Sequence, residues 1–150
     1  MSSIAATATP HQSIPSGPHA IYGFERWGRD LLTVLENGDV GLKNPLKPET
    51  VPISLPSILR DLEQRGIHAP MLLRISSFLE NEIRSINTAF ATAMNQAGYQ
   101  GVYRGVFPIK VNQRAQVIKQ IVDFGRPYSF GLEAGSKPEL VIALAQSLER

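Results

Sequence analysis

The sequence predicts an α/β fold in which a short β-hairpin region precedes the first strands and helices of a (β/α)8 barrel. Three observations lead there. From Ser54 onward, helical and strand-like apolar patterns alternate in the order β-α-β-α-β-α, and strands joined by helical crossovers pair in parallel beneath covering helices. Before them, Leu31 to Leu35 and Val40 to Leu42 flank Glu36-Asn37-Gly38-Asp39, and Asn-Gly between apolar stretches signals a hairpin with a type I′ turn. Lastly, the apolar stripe of the final helix is still running at Leu148, and no Gly, Asn or Pro closes it before Arg150. Such alternation suits an open doubly wound sheet or a barrel. A barrel takes roughly 250 residues, so the chain is expected to be an incomplete piece holding about its first three strands.

Three parts are expected along the chain. Residues 1–21 read as a disordered tail, because no charge precedes Glu25 and Pro10, Pro15, Gly17 and Pro18 lie among Ser, Thr and Ala. Residues 22–66 form a hairpin and short-helix lead-in, and 67–150 form the barrel portion. In the lead-in, Leu55 to Arg65 predicts a helix with Pro56 in its first turn, Ile58, Leu59 and Leu62 on one face, and Gly66 as its stop. Met71 to Ile75 reads as a strand. Ser77 and Glu80 then match a capping box ahead of Leu79, Ile83, Ile86, Phe90 and Ala93 or Met94, a stripe that runs to Gly98. Val102 to Ile109 reads as the next strand, with Asn112 capping a helix that carries Val117, Ile118, Ile121 and Val122 inward and ends at Gly125. Tyr128 to Leu132 is the third strand. Ser136 and Glu139 make a second capping box, Pro138 lies in the first turn, and Leu140, Val141, Leu144 and Leu148 are expected to face the core.

Composition narrows the function. The 15 Lys and Arg against 13 Asp and Glu leave a charge of +2, with 43% hydrophobic and 19% charged residues, as in globular proteins. The pI of 9.1 arises from that small excess and not from a basic run, so no nucleic-acid partner is expected. With no cysteine, disulfides, Cys-ligated metals and a thiol nucleophile are excluded. No stretch approaches the roughly 20 apolar residues of a membrane helix, and neither a secretory nor a transit signal is legible, so a cytoplasmic protein without membrane contact is expected. His11, His19 and His68 have no ligand spacing, and no metal site is assigned to them. Tyr22, Phe24 and Trp27 read as a packing anchor.

Chemistry in parallel α/β folds sits at the C-terminal ends of strands, where helix N-termini converge. Lys110 and Glu133 hold those positions, each just before a helix start. An amine at the rim of an apolar strand is partly desolvated, which favours the neutral form able to attack an aldehyde. It can equally be a lysine that finishes a strand in water. Pro108 before it breaks strand pairing and marks a local irregularity. Glu133 can serve a site or merely complement the helix dipole, while Gly131 and Gly135 allow close approach and the helix start at Ser136 could receive a phosphate. Gly131 to Lys137 is not a nucleotide P-loop, being one residue short with Ser and Lys reversed.

Two segments, Val106-Phe107-Pro108-Ile109-Lys110-Val111-Asn112-Gln113 and Phe130-Gly131-Leu132-Glu133-Ala134-Gly135-Ser136-Lys137-Pro138-Glu139-Leu140, closely resemble the biosynthetic arginine decarboxylase family. Arg84 to Asn87, Ala89-Phe90, Gly98-Tyr99 and Trp27-Gly28 extend the likeness from about Tyr22 to the last residue, in the family's order. The resemblance implies a pyridoxal 5′-phosphate (PLP) enzyme that converts L-arginine to agmatine and CO2 on the way to polyamines, with an alanine-racemase-like barrel and a β-domain that would include the hairpin. It implies that Lys110 is the lysine holding the cofactor as a Schiff base, and that Glu133 lies near the cofactor. By family analogy, magnesium is a candidate second cofactor and the full-length protein a homo-oligomer. The family's phosphate loops, pyridinium-pairing carboxylate and guanidinium-recognising acids would fall beyond Arg150, so the 150 residues alone are expected to be inactive. Competing readings are a sibling PLP decarboxylase acting on ornithine or diaminopimelate, a non-catalytic PLP-binding or regulatory relative, and a truncated product without a stable role.

Overall fold

A computed structural model describes residues 17–148. Short helices α1 (Pro18–Ile21) and α2 (Phe24–Trp27) lead into strands β1 (Leu32–Val34), β2 (Val40–Leu42) and β3 (Ile53–Ser54), then helix α3 (Leu55–Gln64). Helix α4 (Ser76–Gln96), strand β4 (Val106–Pro108), helix α5 (Ala115–Gly125), strand β5 (Gly131–Glu133) and helix α6 (Lys137–Leu148) follow, with 3-10 turns at Ile109–Val111 and Arg126–Tyr128. Most of the expected tail lies outside the described residues. Its end is not tail-like, because Pro18–Ile21 forms a helical turn.

Two compact units divide the chain, one made of residues up to Lys43 with Thr50–Gly66, the other of Asn44–Glu49 with Ile67 onward. In the first, β1, β2 and β3 form an antiparallel sheet in that order, with Leu32 opposite Leu42 and Val34 opposite Val40. The hairpin is present, but its turn is not type I′. Only Gly38 has a positive φ (86°), while Gly38 N–H donates to Leu35 O at 2.9 Å and Leu35 N–H to Asp39 O at 2.8 Å. A three-residue loop needs just one left-handed residue, and glycine supplies it without steric cost.

Ser54 ties that sheet to the helix after it. Its hydroxyl caps α3 by accepting from Ser57 N at 3.2 Å and donates to the Asp39 carboxylate at 2.6 Å. Asn37 Nδ2 adds a bond to the same carboxylate at 3.1 Å. These donors, Ser54 foremost, hold the Asp39 carboxyl below the ordinary aspartate value of 3.8. A depressed folded-state pKa contributes stability that is present above the unfolded value and lost as pH falls through the folded one. Acid titration monitored by circular dichroism should therefore show the Asp39→Asn protein losing less stability below pH 4 than the parent, and equal acid sensitivity would refute this coupling.

The second unit supplies the α/β element. β4 and β5 pair in parallel, with Val106 opposite Gly131 and Pro108 opposite Glu133, and α5 makes the crossover between them. Ile83 of α4 and Val117 and Ile121 of α5 form the core cluster, packed by Leu79, Phe107, Phe124, Tyr128, Phe130 and Leu132. Ile109 and Ile118 are wholly buried. The stripe read on α5 is the buried one. Gly125 does not close that helix with a left-handed turn. The chain passes through it at φ −78° into the 3-10 turn, and the left-handed residue is Ser129.

Gly105 and Gly125 are small for a packing reason. A Cβ at Gly105 would stand 2.4 Å from the Phe130 ring, and one at Gly125 would stand 2.8 Å from Phe130 Cβ. The two glycines thus admit Phe130 where Gly131 N–H reaches Gly105 O at 2.8 Å. Gly105→Ala should cost about 1–3 kcal/mol through overpacking of a rigid ring, read as a lower urea midpoint. A midpoint equal to the parent's would show that the ring can move aside.

Other expectations are corrected. Met71 to Ile75 forms no paired strand; Ile75 is extended (φ −106°, ψ 108°), but no described strand lies beside it to complete a ladder. β4 is shorter than Val102 to Ile109: residues 102–105 are not strand, and pairing stops at Pro108, after which the chain enters the 3-10 turn. Tyr128 belongs to a 3-10 turn before β5. Helix α4 begins at Ser76 after Ile75, with no side-chain cap, so Ser77 and Glu80 do not act as a capping box. Its buried residues are Ile83 and Asn87, one turn apart, while Ile86 and Phe90 are about half exposed. Asn112 is not the N-cap of α5. That position is Arg114, whose N–H the Asn112 side chain accepts at 3.2 Å. On α6, Leu140, Val141 and Leu144 are 51%, 66% and 57% exposed, and the face turned inward is Glu139, Ile142, Ala143 and Gln146. The side chain of Leu148 lies outside the described ones.

Candidate active site

Strand pairing brings the two candidate residues to one end of the small parallel sheet. Glu133 is the last residue of β5 and lies opposite Pro108, the last of β4. Lys110 follows two residues later in the 3-10 turn, so an amine and a carboxylate leave neighbouring strand ends. Ile109, wholly buried beside it, pins the turn to the core. Lys110 itself is exposed, so the partial desolvation expected of it is not seen among these residues. Glu133 is half-buried.

The loop after β5 is fixed by a second carboxylate. Glu139, only 7% exposed, accepts the Gly135 N–H at 2.9 Å and the Ser136 hydroxyl at 2.9 Å, while its own N–H reaches Ser136 Oγ at 3.4 Å. The capping box read at Ser136 and Glu139 is therefore formed. The Gly135 N–H and the Ser136 hydroxyl at this helix start are thus taken by a carboxylate of the chain itself. A Cβ at Gly135 would stand 3.3 Å from Glu133 Oε1, so the glycine leaves room for the Glu133 carboxylate to fold over the loop.

A cavity of about 390 Å³ lies between the starts of α4 and α5, with Arg74, Ile75, Phe78 and Asn112 in its wall. Asn112 follows directly on the Lys110 turn. In sequence, Arg74 carries no signal of a site, since the segment around it reads as an apolar strand and its charge belongs to no motif. The groove is bounded by Gln120, whose Nε2 donates to Ser76 Oγ at 2.8 Å. Among the described residues no cluster of three acidic, His or Cys groups could hold a metal ion, and no helix is long and apolar enough to cross a membrane.

No family model matches the sequence. Biosynthetic arginine decarboxylase of Gloeobacter violaceus is 41% identical over 125 residues, which is 83% of this chain and 19% of that protein. The enzyme of the same name from a Nostoc species is 44% identical over 126 residues, 84% of this chain and 18% of the relative. The crystal structure of biosynthetic arginine decarboxylase SpeA from Campylobacter jejuni superposes with a TM-score of 0.75 at 33% identity, over 83% of this chain and 20% of that one. The chain is a relative of the biosynthetic arginine decarboxylases. It spans about a fifth of the length of the decarboxylases it matches.

Proposed function

We propose that this chain is the part of a PLP-dependent arginine decarboxylase that carries the cofactor lysine, in an enzyme releasing CO2 from L-arginine to give agmatine for polyamine synthesis. The single observation that carries the reading is the parallel pairing that puts Lys110 and Glu133 at adjacent strand ends, within a chain whose relatives are arginine decarboxylases. In the proposed whole protein this sheet would be the beginning of the barrel.

The residues fit the aldehyde end of the cofactor. Lys110 offers an exposed primary amine on a turn anchored by Ile109, open to condensation with a carbonyl carbon. At the start of α6 the Gly135 N–H and the Ser136 hydroxyl are taken by Glu139, so a phosphate there would have to rely on other donors. When bound, PLP supplies an electron sink for the pair left behind as the carboxylate departs. The chain's own part is positional. Lys110 would hold the aldehyde end of the cofactor through its Nζ, and the same amine, when free, would be the group placed to take and return a proton at that strand end. Glu133, half-buried at the end of the neighbouring strand with Gly135 leaving room for its carboxylate, would lie on the cofactor's side of the sheet end. Ile109 is wholly buried, and Phe107 and Leu132 pack on the core of α4 and α5, so the two strands that end at the site are anchored from within.

The test uses a full-length decarboxylase containing this stretch. Incubation with PLP followed by borohydride should place the reduced label on the peptide containing Lys110, and arginine should be consumed in preference to ornithine or diaminopimelate. Label on another lysine overturns the site. Consumption of ornithine with arginine intact overturns the substrate. Without the rest of the enzyme, the 150 residues should release no CO2.

A further inference from the structure

At the opposite end of β4 and β5 from Lys110 is a second cavity, of about 340 Å³, within the size range of small-molecule sites. Its wall includes Asn87, Ala91 and Met94 of α4 with Tyr99, Tyr103 and Tyr128, and no charged side chain lines it. Three tyrosines and a buried amide line this one space, with Tyr99 itself 63% exposed. The Tyr103 ring stacks on Phe90 with centroids 3.9 Å apart at 7°. Tyr99 lies across Gly101 so closely that a Cβ there would come within 2.4 Å of its ring.

Asn87 carries the chemistry. It is only 6% exposed, and its Nδ2 donates to Ile83 O at 2.7 Å. One Nδ2 hydrogen is thus used; the other, and Oδ1, have no partner among the described residues. No fully buried side-chain oxygen or nitrogen in the described residues lacks a partner, so Oδ1 keeps some accessible surface, and Asn87 lines this cavity. A carboxamide with one acceptor and one donor left over matches an edge that presents a donor beside an acceptor. Asparagine pairs with adenine N6 and N7 in that way, and aromatic side chains stack on bases.

We propose that this cavity binds an uncharged planar heterocycle with a donor and an acceptor side by side on one edge, the pattern of an adenine base. The ring lies among the tyrosines and its edge meets Asn87. The absence of a cation in the lining disfavours a phosphorylated form. Tyr103 and Tyr128 stand three residues before β4 and β5 respectively, so an occupant touches the lead-in to both strands that end in the candidate active site.

Adenosine titrated into this chain, followed by calorimetry and by tyrosine ring resonances, tests the site directly and independently of any decarboxylase activity. Saturable binding with Kd below about 1 mM is expected. N6,N6-dimethyladenosine, which lacks the donor, should bind about tenfold or more weakly, and Asn87→Leu should weaken adenosine to a similar extent. Ala91→Trp, at an exposed helix position, should abolish binding by filling the cavity without disturbing the fold. No saturation at millimolar adenosine overturns the proposal, and so does binding that is indifferent to Ala91→Trp or equal for the two nucleosides.

Discussion

Replacing Lys110 with alanine in a full-length decarboxylase that contains this stretch is expected to lower kcat for arginine by about 10³-fold or more, equivalent to roughly 4 kcal/mol of lost transition-state stabilisation. The expectation follows from placement and chemistry together. An amine must reach a carbonyl carbon, and Lys110 presents one from a turn that the buried Ile109 locks against the core. The substitution removes no buried surface, since Lys110 is exposed, so the melting temperature of the protein without cofactor should stay within about 1–2 °C of the parent. Lys110→Arg separates the two possible roles. A charge needed only for structure would survive in arginine, whereas a guanidinium stays protonated and cannot condense with an aldehyde. Activity restored by arginine, or a borohydride label that persists in Lys110→Ala, would defeat the assignment of this lysine.

What could be read from the sequence depended on how local the cause was. The capping box at Ser136 and Glu139 formed because the residues involved lie within four positions of one another and need no distant partner. The stripe of Val117, Ile118 and Ile121 held because an amphipathic face and its burial follow one period. Met71 to Ile75 failed for the opposite reason. Strand character requires a neighbour, and the pattern of a segment does not say whether that neighbour is beside it. The inward face of α6 was misread because the bulkiest apolar residues were assigned to the core. The helix instead turns Glu139, Ile142, Ala143 and Gln146 inward and leaves Leu140, Val141 and Leu144 exposed, so residue size alone does not tell which face is buried. The site shows the same division. Lys110 and Glu133 each stood out as strand-end residues, but the fact that they share one edge comes from the register of β4 on β5, which depends on Gly105 and Gly125 admitting Phe130. Glycines spaced for packing look, in sequence, like glycines spaced for turns.

Ile118 offers the largest expected effect on stability, and it tests whether the α/β unit stands on the core described for it. Its side chain is fully buried in the middle of α5, one residue from Val117 and three from Ile121, which pack with Ile83 of α4. Ile118→Ala removes three carbons from a site enclosed on all sides, and such truncations cost about 2–5 kcal/mol through lost burial plus the cavity left behind. Alanine has the better helix propensity, which offsets only a few tenths of a kcal/mol, so packing decides the sign. The same truncation at the exposed Val141, 66% exposed on α6, should change stability by no more than about 0.5 kcal/mol. Urea unfolding of the two proteins side by side checks the pair. A small loss at Ile118, or equal losses at both positions, would mean that α5 is not the helix against which β4 and β5 are built, and the neighbouring strand ends at Lys110 and Glu133 would lose their structural support.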